Sequence, residues 1–256
     1  MRKGLSIIAT GLLLGLVPGV ARGAEPGKRL YEQHCAVCHG LAGDGRGMAA
    51  HMFRTQPRDF REGKFKFRST PTGSLPLDSD LVRSVKAGIR GTAMVPQDHI
   101  SDEDIRAVVA YVKSFSERFA RETPPDPIPI PAPPPKTPDL VARGKAVYKK
   151  AGCPECHGPE ARGDGPSAPD LAVKPADLTR RPLKSGPTPQ DLYRTLVTGL
   201  DGTPMPSYQD ALDAEDFWPV VFYIDSLGGP ERITDEERMG RHVEQMHQPR
   251  HGMPMH

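Results

Sequence analysis

The chain has 256 residues, enough for one large domain or two small ones, with 37% hydrophobic and 26% charged residues, a soluble globular balance. Its 29 prolines and 26 glycines point to long irregular segments, and only 6% of residues are aromatic, so side chains alone build a thin core. With 34 basic and 32 acidic side chains the charge is near balance, which excludes the strong basic excess of a nucleic-acid binder.

At the start, Arg2 and Lys3 precede an uncharged run from Gly4 to Ala21, and Ala21-Arg22-Gly23-Ala24 offers small residues for cleavage. This is the pattern of an export signal, with residues 1–23 removed. A retained anchor is the competing reading, because the run reaches the lower edge of a membrane-spanning length. Loss of Arg2, Lys3 and Arg22 leaves 31 basic against 32 acidic side chains. The mature chain is then near neutral, and no DNA or RNA partner is expected.

The rest is one unit written twice. Gly27-Lys28 and Leu30-Tyr31 match Gly144-Lys145 and Val147-Tyr148, ahead of Cys35-Ala36-Val37-Cys38-His39-Gly40 and Cys153-Pro154-Glu155-Cys156-His157-Gly158. Gly43-Asp44-Gly45 then aligns with Gly163-Asp164-Gly165, and Pro57 with Pro175. Gly91-Thr92-Ala93-Met94 aligns with Gly202-Thr203-Pro204-Met205, and Val108-Val109 with Val220-Val221. Residues 24–122 and 141–230 are therefore read as two similar domains, and 231–256 as a separate tail.

In chain order, short helices are expected over Lys28 to Gln33 and Arg143 to Lys150, each running into its cysteine motif. Second helices are expected over Asp80 to Ala87 and Asp191 to Thr198. Lys64 to Ser69 alternates basic and apolar residues, which suggests a short extended ribbon. Ser101 caps a third helix carrying Ile105, Val108, Val109 and Val112 at helical spacing. Its counterpart contains Pro219, which should kink the helix or delay its start. Residues 123–140 form a linker, with nine prolines between Thr123 and Asp139. Polyproline geometry at about 3.1 Å per residue lets it reach roughly 50 Å, so it need not hold the domains in contact.

All four cysteines lie in the two Cys-x-x-Cys-His units, which in an exported protein is the attachment signal for c-type haem. Cys35 with Cys38, and Cys153 with Cys156, would form thioethers to the vinyl groups of one porphyrin each. His39 and His157 would present a ring nitrogen to the iron. A redox disulfide or a shared zinc is the alternative, but neither accounts for the repeated histidine together with the downstream methionines. Met94 and Met205 are the candidate sixth ligands, lying in Gly-Thr-x-Met loops 55 and 48 residues beyond the motif histidines. A soft thioether favours ferrous iron and raises the potential. Met48, Met52, His51 and His99 are lesser candidates in the first domain.

These features resemble the class I cytochromes c over residues 27–116 and 144–228. The resemblance implies an all-α fold, two tandem helical bundles each wrapped around one covalent haem c, and outer-sphere electron transfer. It implies haem attachment at Cys35, Cys38, Cys153 and Cys156, and axial pairs His39 with Met94 and His157 with Met205. Members of the family orient the proximal histidine through a proline carbonyl soon after the motif, a place taken by Pro169 in the second copy and by His51 in the first. Redox proteins are the implied partners, as donor and acceptor, including a membrane oxidase or reductase complex, and the compartment is the periplasm. An enzyme would need an open iron position and a nearby acid or base, and no residue marks one. The basic segment Arg54, Arg58, Arg61, Lys64, Lys66 and Arg68 reads as a solvated face, or as a surface for an acidic partner or haem propionates.

In the tail, Thr234 with Glu237 starts a short helix. Beyond it, His242, Met246, His247, His251, Met253, Met255 and His256 collect potential copper ligands. Glycine, proline and charge predict that the tail does not pack.

Overall fold

The computed structural model describes residues 24–247. The export-signal reading, and His251, Met253, Met255 and His256, fall outside the described residues. The described chain is helical, with no strand; a single isolated bridge joins Arg181 to Glu231.

Helices α1 (Ala24–His34), α2 (Ala36–His39), α3 (Asp78–Ala87), α4 (Asp102–Lys113) and α5 (Arg118–Arg121) build the first unit. The second contains α6 (Pro138–Lys150), α7 (Pro154–His157), α8 (Pro189–Thr198) and α9 (Phe217–Ser226), and α10 (Asp235–His247) follows. Local chemistry explains the boundaries. Ser101 Oγ accepts from Asp104 N–H at the head of α4, and Thr188 forms a reciprocal capping box with Asp191 at the head of α8. Thr137 caps α6, whose first residue is Pro138, so this helix begins inside the segment read as linker. Pro219 has the foreseen effect: a 3-10 turn over Ala214–Asp216 precedes α9, which starts only at Phe217.

In each unit the first helix crosses the last long one, α1 on α4 and α6 on α9. The repeated glycine of Gly-Lys makes the crossing possible. A Cβ at Gly27 would stand 2.1 Å from the Ala107 carbonyl oxygen, and one at Gly144 would stand 1.9 Å from that of Pro219. Both obstacles are backbone, so neither can move aside. Gly144→Ala is expected to cost about 3 kcal/mol, the upper end of overpacking penalties, read as a lower denaturant midpoint at unchanged slope. Behind the crossings lie two apolar clusters. Tyr31, Phe60, Ile105 and Val108 centre the first, and Tyr148, Tyr193, Phe217 and Val221 the second.

Two expectations are corrected, the ribbon and the unpacked tail, and the contact between the units, which the linker length left open, is present. Lys64 to Ser69 forms no ribbon, because it has no partner strand and its side chains are drawn inward: Phe65 enters the first core and Arg68 is fully buried. The two units are in contact, and Arg68 is the centre of that contact. Its guanidinium pairs with Asp201 at 2.9 Å and donates to the Thr198 carbonyl at 2.8 Å and to Thr72 Oγ1 at 3.1 Å. The proline-rich connection is itself pinned, with Ile128 N–H donating to the Ser69 carbonyl at 2.8 Å and Ile128 and Ile130 packing on the second core. Finally, the described part of the tail, through His247, packs. Thr234 and Glu237 form the reciprocal cap of α10, and Val243 on that helix is buried.

The basic segment also divides instead of facing water as one surface. Arg61 pairs with Asp59, Lys64 lies near Glu62, and Arg68 is at the domain contact. Arg58 and Lys66 line a cavity of the first unit.

Candidate haem sites

Each cysteine motif occupies a single helical turn, α2 or α7, so its two thiols, three positions apart, share one face and the histidine follows directly. The chain after the motif folds back on this turn. Gly45, Gly47 and Ala49 donate their N–H groups to the carbonyls of His39, Cys38 and Val37 at 2.9, 3.0 and 2.8 Å. Gly163, Gly165 and Ser167 do the same to His157, Cys156 and Glu155 at 2.8, 3.1 and 2.9 Å. The true register of the repeat is therefore Gly45 with Gly163 and Gly47 with Gly165, two residues away from the Gly-Asp-Gly alignment. Ala161, with φ 58°, takes the left-handed place of Gly43, φ 65°. Gly47 is required for another reason: a Cβ there would lie 2.4 Å from the Val37 carbonyl oxygen.

A buried tyrosine ties each motif to its first helix. Tyr31 Oη donates to the Gly40 carbonyl and Tyr148 Oη to the Gly158 carbonyl, both at 2.7 Å. Removing either hydroxyl leaves a buried carbonyl unpaired, so Tyr31→Phe and Tyr148→Phe are each expected to lose about 1–2 kcal/mol, measured by chemical denaturation.

The histidines are oriented by backbone, at places the proline expectation did not name. His39 Nδ1 faces the Arg58 carbonyl at 3.4 Å, and His157 Nδ1 faces the Ala176 carbonyl at 2.9 Å. Each carbonyl follows the proline shared by both copies, Pro57 or Pro175. Pro169 instead accepts from Lys174 Nζ at 2.8 Å, and His51 is exposed. A carbonyl oxygen only accepts, so Nδ1 carries the proton and Nε2 keeps its lone pair for a metal. Burial pushes the His39 imidazole down to about 4 and also lowers His157, with the carbonyl contact opposing in both cases, which favours the neutral, ligating form. Burial pushes the Cys35 thiol up to about 12 and Cys38 to about 11. Thiols held in this protonated form make the first motif a poor fast redox dithiol.

Met94 lines the same cavity as Cys35, Cys38 and His39, under a lining that includes Phe60 and Val109. In the second unit Met205 and Cys153 pack against one cluster. The two methionine loops share one geometry. Thr92 Oγ1 donates to the Ile89 carbonyl at 2.7 Å and accepts from Met94 N–H at 3.1 Å; Thr203 Oγ1 repeats this with Leu200 at 2.7 Å and Met205 at 3.2 Å. Gly91 and Gly202 provide left-handed turns of φ 73° and 75°. Of the lesser candidates, Met48 is 75% exposed, Met52 is also exposed, and His99 meets His34 edge to face with ring centroids 5.7 Å apart. Paired thiols, a neutral imidazole with a free Nε2 and a thioether, beside an apolar cavity in the first unit and against the apolar cluster in the second, are a donor set that fits covalently attached haem in both units. Among the described residues no three His, Cys, Asp or Glu side chains are placed to hold a metal ion; of the candidate copper ligands of the tail, His242, Met246 and His247 lie on α10, and the other four fall outside the described residues.

The sites are joined through Arg58. Its carbonyl orients His39, while its side chain reaches the other methionine loop, where a Cβ at Gly202 would stand 2.9 Å from Arg58 Nη1.

Comparison with known proteins agrees with this geometry. The family model described as "Cytochrome C oxidase, cbb3-type, subunit III" matches residues 22–112, and that described as "Cytochrome c" matches residues 141–228. The Cbb3-type cytochrome c oxidase subunit CcoP of Helicobacter pylori is 23% identical over 160 residues, 60% of this chain and 42% of its own length. CcoP of Azospirillum brasilense is 23% identical over 217 residues, covering 79% of this chain and 61% of its own. This chain thus spans from about two fifths to three fifths of the curated relatives it matches. A chain of the Kuenenia stuttgartiensis reducing HAO-like protein complex is 39% identical, covers 80% of this chain and 96% of its own, and superposes with a TM-score of 0.78.

Proposed function

Since this chain belongs to the dihaem c-type cytochromes, with one covalently bound haem c in each of two cytochrome c domains, we propose that it relays single electrons as a subunit of a larger extracytoplasmic redox complex. When bound, haem c supplies a one-electron iron couple whose potential follows its axial ligands. In this reading Cys35, Cys38, Cys153 and Cys156 would attach the groups, and His39 with Met94 and His157 with Met205 would ligate the irons. The observation that carries it is the duplication of one arrangement: a carbonyl-anchored imidazole beside two buried thiols, and a methionine on a threonine-locked loop.

The protein's own contribution is to hold these donors still. The Arg58 and Ala176 carbonyls fix both imidazole tautomers, and the threonines fix the methionine loops, so little need rearrange when the charge changes. Were His39 with Met94 and His157 with Met205 to ligate the irons, small substrates would find no open site, which would separate a relay from a peroxidase or a sulfur-compound dehydrogenase. The test is turnover: the reduced holoprotein should be reoxidised by a soluble one-electron acceptor without turning over hydrogen peroxide, and the oxidised holoprotein, with that acceptor in excess, should not turn over thiosulfate. Sustained consumption of either would make it an enzyme.

Placement in a complex draws on the names of the relatives, a subunit of an oxidase and a chain of a reducing HAO-like complex. The free periplasmic carrier is the other form of the same chemistry. Native purification separates them, since a carrier elutes alone and a subunit with its partner. An extracytoplasmic location draws on the Cys-x-x-Cys-His motifs and the signal-like start. No helix of the described residues is long and apolar enough to cross a membrane.

A further inference from the structure

The two domains differ at one corresponding surface. In the first, Val37, Cys38, Ala49, Phe53 and Ala93 form an apolar face around the second cysteine, and Val243 of α10 sits on it with 1% of its surface exposed. In the second, the same places in the corrected register carry Glu155, Cys156, Ser167, Leu171 and Pro204, of which Glu155 and Pro204 are exposed. At two of these places, Val37 against Glu155 and Ala49 against Ser167, the first copy is apolar where the second is polar, and there a helix lies across it.

The contact is specific as well as apolar. Gly240 lets α10 approach the loop next to Met94, since a Cβ there would lie 2.2 Å from the Ala93 carbonyl oxygen. Three carboxylates of α10 accept from the structure around the cavity. Glu237 takes Gly91 N–H at 2.8 Å, Glu236 takes Thr55 N–H at 2.7 Å and its hydroxyl at 2.9 Å, and Glu244 takes Gln97 Nε2 at 2.8 Å. Glu231, ahead of the helix, pairs with Arg90. These bonds grip both ends of the methionine loop, at Gly91 and Gln97, and the chain segment that precedes Arg58.

We propose that α10 is a built-in cover of the first haem site, which holds the Met94 loop closed and shields the haem edge at Cys38 from solvent and small ligands. This rests on the reading of Met94 as the distal ligand. A side chain at Gly240 or a charge at Val243 cannot be accommodated against Ala93 and Phe53, so either lifts the helix without shortening the chain.

The experiment compares the full holoprotein with Gly240→Leu, Val243→Glu and a chain ending at Thr234, using carbon monoxide binding to the ferrous protein and amide hydrogen exchange. In the full chain both haems should resist carbon monoxide. In all three variants one haem should bind it at least tenfold faster, and the amides of Gly91 and Thr55 should exchange at least tenfold faster, while the second domain's amides keep their rates as the control for folding. Unchanged carbon monoxide binding and unchanged exchange in the variants overturn the cover. If the full chain already binds carbon monoxide at the first haem as fast as Met94→Ala does, the ligand assignment fails instead, and accelerated exchange at Gly91 still reports whether α10 is docked.

Discussion

Replacing Met205 or Met94 with alanine is expected to strip one iron of its sulfur ligand while leaving the other centre and the fold intact. Each methionine is only partly buried and stands on a loop whose shape is set by Thr92 or Thr203 and by the left-handed Gly91 or Gly202, so alanine disturbs little of the loop itself. The electronic change is large. A thioether opposite imidazole raises the potential, and axial ligation spans about 0.8 V across haem proteins, so loss of the sulfur should lower that centre by on the order of 0.1 V or more. In a redox titration one of two waves should move and the other stay. The affected ferrous haem should also take up carbon monoxide. If both waves stay in place in both variants, the methionines are packing residues and the iron is held otherwise.

Arg68→Met is expected to cost about 3–5 kcal/mol, because it leaves Asp201 facing an interface from which its counter-charge has gone. Arg68 is wholly buried and Asp201 nearly so, and the Thr198 carbonyl would lose its donor as well. The shape of the transition matters as much as its midpoint. With the contact intact the two domains should unfold together, whereas in the variant they should separate into two steps. Adding Asp201→Leu should recover much of the loss, since removing both charges abolishes the desolvation problem that removing one creates. A single loss below about 1 kcal/mol, typical of an exposed pair, would mean that the domains do not depend on this contact.

The parts legible in the sequence are those carried by short-range pattern. Motif spacing, apolar periodicity and the Ser101 cap identify the haem-binding turns and the helices, and Pro219 announces the late start of α9. What was not legible depends on where distant backbone goes. The Arg58 and Ala176 carbonyls carry no side-chain signature, although the matching Pro57 and Pro175 marked the place. The Gly-Asp-Gly alignment was misleading because Ala161 adopts a glycine-like conformation, which shifts the glycines by two positions. Arg68 looked like one cation in a solvated run, since its partner lies in the other domain. The tail looked unable to pack because of its glycine, proline and charge; in its described part, Val243 and the acidic residues of α10 find their partners on the finished first domain.

The central claim is that each iron is held between histidine nitrogen and methionine sulfur. The most direct test is the absorption and electron paramagnetic resonance spectrum of the oxidised full-length protein at neutral pH. Two low-spin ferric haems, each with a methionine-to-iron charge-transfer band that disappears singly in Met94→Ala and Met205→Ala, are the predicted result. A high-spin haem in the unaltered protein, or a band that survives both substitutions, would contradict it.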